Sequence, residues 1–222
     1  MVLYFSDRIT LGNRLSEQLE YLHSKDAIIL CLKESSLLTA VALGSNLRAW
    51  IYPLLYEIVT HPEDRTKEIG AINADGEFCK HPDITDADLE YITMESAGAL
   101  EDSKRQAMHL VNQQAIQFGD TLNEHVMNGR EVILAGDIVT SPMQIAVAQQ
   151  LLKSLSPKGI HGVAGNVTAD VSDLFHLNTS EAHVLDVLPG IIFDDDHYFE
   201  KSDTYSRDEQ RALALHIQTY WH

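Results

Sequence analysis

The run Glu131-Val-Ile-Leu-Ala-Gly-Asp-Ile-Val-Thr-Ser-Pro-Met-Gln144 decides the fold. Val132 to Ala135 are apolar or small and make a short buried strand, which Gly136-Asp137 is expected to end. Thr140-Ser141-Pro142 then opens a helix. Either hydroxyl can cap it, and Pro142 suits the first helical position because its missing N–H has no partner there. Ile145, Ala148, Leu151 and Leu152 follow at helical spacing. A strand that passes through a tight loop into a helix start suits phosphate, because unpaired backbone N–H groups and the helix dipole both favour an anion there.

Outward from this run, strands alternate with helices. Towards the N-terminus, Ser6-Asp-Arg8 starts a helix with an apolar stripe at Leu11, Leu15, Leu19 and Leu22. Ala27 to Leu32 is a continuous apolar run, as the buried centre of a parallel sheet requires. Lys33-Glu-Ser-Ser36 is a polar loop, Leu37 to Leu47 a helix and Trp50 to Leu55 a strand. His61 to Lys67 reads as a charged loop. Glu68 to Asn73 is a strand that the Ala74-Asp-Gly76 turn folds back on Glu77 to Cys79. Thr85 to Gln117 is helical and polar, with a break near Gly98. Beyond the central run, Gly159 to Ala164 and Ala182 to Leu188 are strands flanking a helix from Val171 to Leu177. A last helix, Arg207 to Trp221, presents Leu213, Leu215 and Ile217. The expected class is α/β: an open, mainly parallel twisted sheet flanked by helices, with a small hood or hairpin, in one domain over residues 1–222.

Composition narrows the function classes. The 222 residues are 45% hydrophobic, enough for a sizeable core, and no apolar run reaches the roughly 20 residues that span a bilayer. Sixteen Lys+Arg against 33 Asp+Glu give a net charge of −17, which repels nucleic-acid backbones and argues for a solvated acidic surface. Cys31 and Cys79 form no C-x-x-C motif and no disulfide framework, Met1 to Phe5 lacks the basic start of a secretory signal, and cytoplasmic residence is expected. Without such a signal, the glycosylation patterns at Asn166 and Asn178 are read as chance.

The central run resembles the ribose-phosphate motif of the type I phosphoribosyltransferases, where an apolar strand ends in two acidic residues and a Thr-Gly-x-Thr loop leads into a helix. Further pieces keep register with one branch of that family. Phe5-x-Asp-Arg8, Gly12 and Leu15 are similar to its opening helix. Ala27 to Ala40 lies where it has a strand, a Pro-Arg-Gly-Gly loop and a helix. Lys67-Glu-Ile-Gly-Ala-Ile72 with Asp75-Gly76 matches its Glu-x-x-Gly-Ala-Ile and Asp-Gly. Asp196 to Phe199 and Ser206 to Glu209 loosely follow its Trp-Tyr-x-Phe and Ser-x-Asp-Glu.

The resemblance implies an enzyme that transfers ribose 5-phosphate from phosphoribosyl pyrophosphate, with Mg²⁺, to a nitrogenous base, and a homodimer. It places Asp137 as the catalytic acid near the ribose. Thr140, Ser141 and Gln144 fall at the 5′-phosphate, Lys33, Ser35 and Ser36 at the pyrophosphate, and Arg8 within reach of a ligand. The sequence departs from the pattern at each sub-site. Gly136 replaces the first acid. Ser141-Pro142-Met143-Gln144 replaces Thr-Gly-x-Thr, removing an N–H. Glu34 stands where the branch has Arg. Losing hydrogen bonds worth about 1.5–3 kcal/mol each, plus the reversed charge, sums to roughly 5 kcal/mol, over a thousandfold in affinity. The expected function is therefore a phosphoribosyltransferase-family protein with a degraded donor site, weakly active or non-catalytic, binding a small phosphorylated ligand. The alternative is an active transferase using a variant loop, with Mg²⁺ required only in that case.

Little else carries chemistry. No G-x-S-x-G, P-loop, G-x-G-x-x-G or H-E-x-x-H motif occurs, which leaves an unrelated hydrolase-like enzyme without a nucleophile. The 11 histidines are scattered, with none four residues from another. Asp194-Asp-Asp-His197 is read as a solvated turn and no metal site is assigned. Asp102-Ser-Lys-Arg105 is read as a solvated helix face, and Cys31 as a core residue.

Overall fold

A computed structural model describes residues 2–96, 98–118, 122, 124–127, 129–190, 193–201 and 205–220, the side chains of residues 124, 125 and 218–220 aside. In chain order the elements are α1 (Arg8–Gln18), β1 (Ala27–Cys31), α2 (Leu37–Leu47), β2 (Trp50–Pro53), β3 (Tyr56–His61), β4 (Asp64–Asn73) and β5 (Phe78–Lys80). There follow α3 (Asp86–Glu95), α4 (Ala99–Phe118), α5 (Glu124–Met127), β6 (Glu131–Val139), α6 (Pro142–Leu155), β7 (Gly159–Val167), α7 (Ala169–Asn178), β8 (Glu181–Val187) and α8 (Arg207–Tyr220). Trp221, expected on the last helix, lies outside the described residues.

Five strands form a parallel sheet in the order β2-β1-β6-β7-β8. Its two faces follow from the period-two alternation of a strand. Ile29, Cys31, Ile133 and Ala135 point to the side covered by α1, α2 and α8. Ile28, Leu30, Val132 and Leu134 point to the side covered by α6 and α7. Both faces are apolar because both are covered, which is why these strands read as unbroken apolar runs. The α1 stripe of Leu11, Leu15, Leu19 and Leu22 is buried as its spacing predicts. Among the described residues no helix is long and apolar enough to cross a membrane.

A second, antiparallel sheet, β3-β4-β5, forms the hood with α3 and α4 around Val59, Ile69, Ile72, Ile84, Ile92 and Leu100. The β4–β5 hairpin matches the expectation. The charged stretch His61 to Lys67 does not: it belongs to the exposed ends of β3 and β4. The strand expected over Trp50 to Leu55 ends at Pro53, and β3, which the sequence patterning leaves unassigned before His61, pairs antiparallel with β4. The long helical stretch divides at Gly98, whose φ of 93° a side chain would strain.

The central run differs at its hinge. β6 does not stop at Ala135 but continues through Gly136 and Asp137 to Val139, since β7 runs beside it with Ile138 opposite Asn166 and Val139 opposite Val167. Pairing to a neighbour of equal length overrides the turn propensity of Gly-Asp. Only Thr140 and Ser141 remain between strand and helix. Ser141 is the cap, accepting from Met143 N–H at 3.3 Å, with Pro142 in the first helical turn. On α8 the buried side is Gln210, Ala214 and Ile217, and Leu215 is exposed.

Candidate functional site

The chain leaves β1 for β2 on one side and returns in β6 on the other. The C-terminal ends of β1 and β6 therefore flank a topological switch point, the place where open α/β sheets form a ligand crevice. The residues chosen from sequence lie on the elements around it: Lys33, Ser35 and Ser36 follow β1, Asp137 to Gln144 end β6 and open α6, and Arg8 begins α1.

Arg8, Ser36 and Asp137 meet one another, and Lys33, Ser35 and Ser141 meet acids from other parts of the chain. Asp137 is fully buried. Its Oδ2 accepts from Arg8 Nε at 2.7 Å, and its Oδ1 accepts from Ile138 N–H at 2.7 Å and from the Ser36 hydroxyl. Ser36 Oγ in turn accepts from the Asp137 N–H at 3.1 Å. Arg8, itself buried, also donates from Nη2 to Asp196 Oδ1 at 2.8 Å and lies over the Phe199 ring, 4.4 Å from its centre. Lys33 Nζ sits 2.5 Å from Asp195 Oδ2, which also accepts from Ser35 Oγ at 3.0 Å. Glu34, expected to confront a polyanion, is turned instead to α8, where Arg211 pairs with it and Arg207 lies 3.9 Å away. The Asp194 to His197 stretch is a turn with Asp194, Asp196 and His197 exposed, as expected, but two of its acids are paired. Its residues 195–198 form a 3-10 turn that applies Asp195 and Asp196 to the basic groups of the crevice.

The Thr140-Ser141-Pro142 turn opens on a cleft of about 540 Å³ beneath the hood, shared with Lys67, Glu68, His81, Asp83 and Asp88. Ser141 Oγ donates to Glu68 Oε2 at 2.7 Å, so the hydroxyl nearest the helix start is committed to a carboxylate. Gln144 is buried, with its Oε1 left without a hydrogen-bond partner, and burial holds the phenol of Tyr56 well above its ordinary pKa. A second cavity of about 210 Å³ lies between Lys33, Glu34, Tyr56, Glu57 and the α4 residues Gln114 and Phe118. Burial pushes the Cys31 thiol up to about 12, as suits a core residue.

Asp195, Asp196, Glu68 and Arg211 were not singled out by sequence reasoning. The acid run was visible, but nothing local tells an exposed acid from one aimed at a cation some 160 residues away. Mg²⁺ does not fit as a resident ion. Among the described residues no three His, Cys, Asp or Glu side chains converge as ligands, and the oxygens of Asp137 are already engaged.

Sheet order, helices on both faces and a separate antiparallel hood give the open, mainly parallel α/β architecture that the sequence resemblance implies. The chain is similar throughout to the crystal structure of TT1426 from Thermus thermophilus, with a TM-score of 0.74, 17% identity, and coverage of 97% of this chain and 99% of that one. It also aligns with a hypoxanthine phosphoribosyltransferase from Staphylococcus aureus (TM-score 0.46, 13% identity, 86% of this chain and 78% of that one). A hypothetical protein from Neisseria gonorrhoeae with bound ppGpp aligns at a TM-score of 0.45 and 12% identity, over 97% of each chain. No family model matches the sequence, and no curated protein matches it.

Proposed function

We propose that this protein is a phosphoribosyltransferase-fold binding or regulatory protein with a degraded donor site, taking a small phosphorylated ligand with weak or absent transfer activity. One observation carries the reading: the charged groups at the switch point are already paired within the chain. A donor sub-site must offer a ribose an acceptor carboxylate and offer pyrophosphate free cations and N–H groups. Here Asp137 is neutralised by Arg8 and Lys33 by Asp195, and the Ser141 hydroxyl donates to Glu68. Pro142 contributes no N–H at the helix start. Any Mg²⁺ would arrive on the phosphates of the ligand, since the described residues bring no three His, Cys, Asp or Glu side chains together to hold it. Homodimeric assembly and cytoplasmic residence complete the proposal, on the strength of the sequence resemblance and the acidic surface.

Calorimetric titration with phosphoribosyl pyrophosphate and Mg²⁺ tests it. Affinity no better than about millimolar and no pyrophosphate release with any purine or pyrimidine base is the expected outcome. Micromolar binding with turnover would establish the alternative, an active transferase with a variant loop. Light scattering of the purified chain tests the dimer.

A further inference from the structure

We infer that the turn carrying Asp195 and Asp196 is an internal counter-anion, its two carboxylates standing where two phosphoryl groups of a diphosphate ligand would sit, so that ligand affinity is set by competition with it. This rests on the reading of the crevice as a phosphate site.

Three features support it. First, the two acids divide the basic groups of the crevice between them, Asp196 on Arg8 at 2.8 Å and Asp195 on Lys33 at 2.5 Å with Ser35 at 3.0 Å. Second, the backbone of the turn is pinned. Phe5 N–H donates to the Tyr198 carbonyl at 2.9 Å, Glu200 N–H donates to the Phe5 carbonyl at 2.8 Å, and Tyr198 is 1% exposed. Third, the carboxylates are free to leave although the backbone is not. The Asp196 side chain is 79% exposed and can rotate into solvent without unfolding the turn, whereas that of Asp195 is 16% exposed and leaves only as the 38% exposed Lys33 side chain moves with it.

A competitor fixed to its own site acts at a high effective concentration. A ligand that needs the open state is weakened by the fraction of time the site is open. Arg8 stays in place when Asp196 swings away, because Asp137 holds it from the buried side. The opened crevice would then present Arg8 Nη2, Lys33 Nζ and Ser35 Oγ together, a set of donors suited to the oxygens of a diphosphate. The same carboxylates repel a ligand even when rotated out, so their charge and not only their position sets affinity.

The test is calorimetric titration of inorganic pyrophosphate, at fixed ionic strength, into the full chain and into Asp195→Asn/Asp196→Asn. The variant is expected to bind about tenfold more tightly or better, and adding Lys33→Gln should abolish the gain. Equal affinity, absence of binding by both proteins, or a gain that survives Lys33→Gln would overturn the inference. Should the double variant fail to fold by circular dichroism, Asp195→Asn alone keeps the Arg8–Asp196 contact and carries the same comparison, with a gain of about threefold expected. Tight donor binding with turnover by the unaltered chain would refute the degraded-site reading but leave this ratio untouched, so the two failures are distinguishable.

Discussion

Arg8 Nε donates to Asp137 Oδ2 at 2.7 Å in a pair whose side chains are 2% and 0% exposed. The contact joins the start of α1 to the end of β6 at the point where the strand order reverses. Removing one member strands the other as a buried charge, which costs about 3–5 kcal/mol. Arg8→Ala is expected to lower Tm by about 6–20 °C, taking 2–4 °C per kcal/mol for a domain of this size. Arg8→Ala/Asp137→Ala should lose less than the sum of the single variants, because neither charge is then left alone. Urea unfolding of the four proteins measures both quantities, and strict additivity would mean that the pair is not coupled.

Gly12 in α1 packs against α2, where an added Cβ would overlap the Thr39 carbonyl oxygen and lie 2.7 Å from Ala42 Cβ. Thr39 belongs to helix backbone that cannot yield cheaply. Gly12→Ala should cost about 1–3 kcal/mol by forcing the helices apart, read from denaturant midpoints. Loss of less than 0.5 kcal/mol would contradict the close approach.

Gly136 is the position where the resembled family carries its first acid. A Cβ there would overlap Val139 Cγ2, and the next nearest atom is 3.8 Å away. Gly136→Asp alone should therefore destabilise the chain by about 1–3 kcal/mol, and Val139→Ala in the same chain should recover part of that. Thermal melts of the single and double variants check it, and a double variant no better than Gly136→Asp would place the conflict elsewhere.

Tyr21 predicts an alkaline limit on stability. Desolvation, then its 2.5 Å hydrogen bond to Glu181 and the charges of Glu181 and Glu131, hold its phenol above the ordinary value of 10.0. A raised folded-state pKa means that the protonated form is favoured on folding. The contribution is complete below pH 10 and is lost as pH climbs from there through the folded-state value. Cys31 acts in the same direction between 9.0 and about 12. Tm should fall steeply above pH 10, and Tyr21→Phe should shallow that slope. An unchanged slope would exclude the phenol.

Glu68 decides what the Thr140-Ser141 turn can hold. Its carboxylate accepts from Ser141 Oγ at 2.7 Å and faces His81 at 3.9 Å. Glu68→Gln removes a charge from the cleft at little cost to stability, within about 0.5 kcal/mol for so accessible a group. Phosphate affinity should rise by about tenfold, since a charge some 4 Å from an anion at an effective dielectric near 20 opposes it by kcal/mol amounts. Equilibrium titration with phosphate reads the change, and no gain would mean that the turn faces no anion.

Much of the framework could be read without coordinates. Apolar runs such as Ala27 to Leu32 mark strands covered on both faces, and the leucine spacing of α1 marks its buried stripe, because both patterns record periodicity along the backbone. The cap at Ser141-Pro142 and the break at Gly98 were equally legible, being local steric and hydrogen-bonding facts. The extent of β6 was not, because Gly136-Asp137 favours a turn until β7 lies alongside and supplies hydrogen-bond partners.

The sequence by itself determined the alternation of strand and helix and the departures from the resembled family at residues 34, 136 and 142. Only the tertiary structure decided which charges meet: Arg8 with Asp137 and Asp196, Lys33 with Asp195, Glu34 with Arg211, Ser141 with Glu68. The reason is physical. Periodicity and capping act between neighbours along the chain, whereas a charge takes its partner from whatever folding brings within a few ångströms.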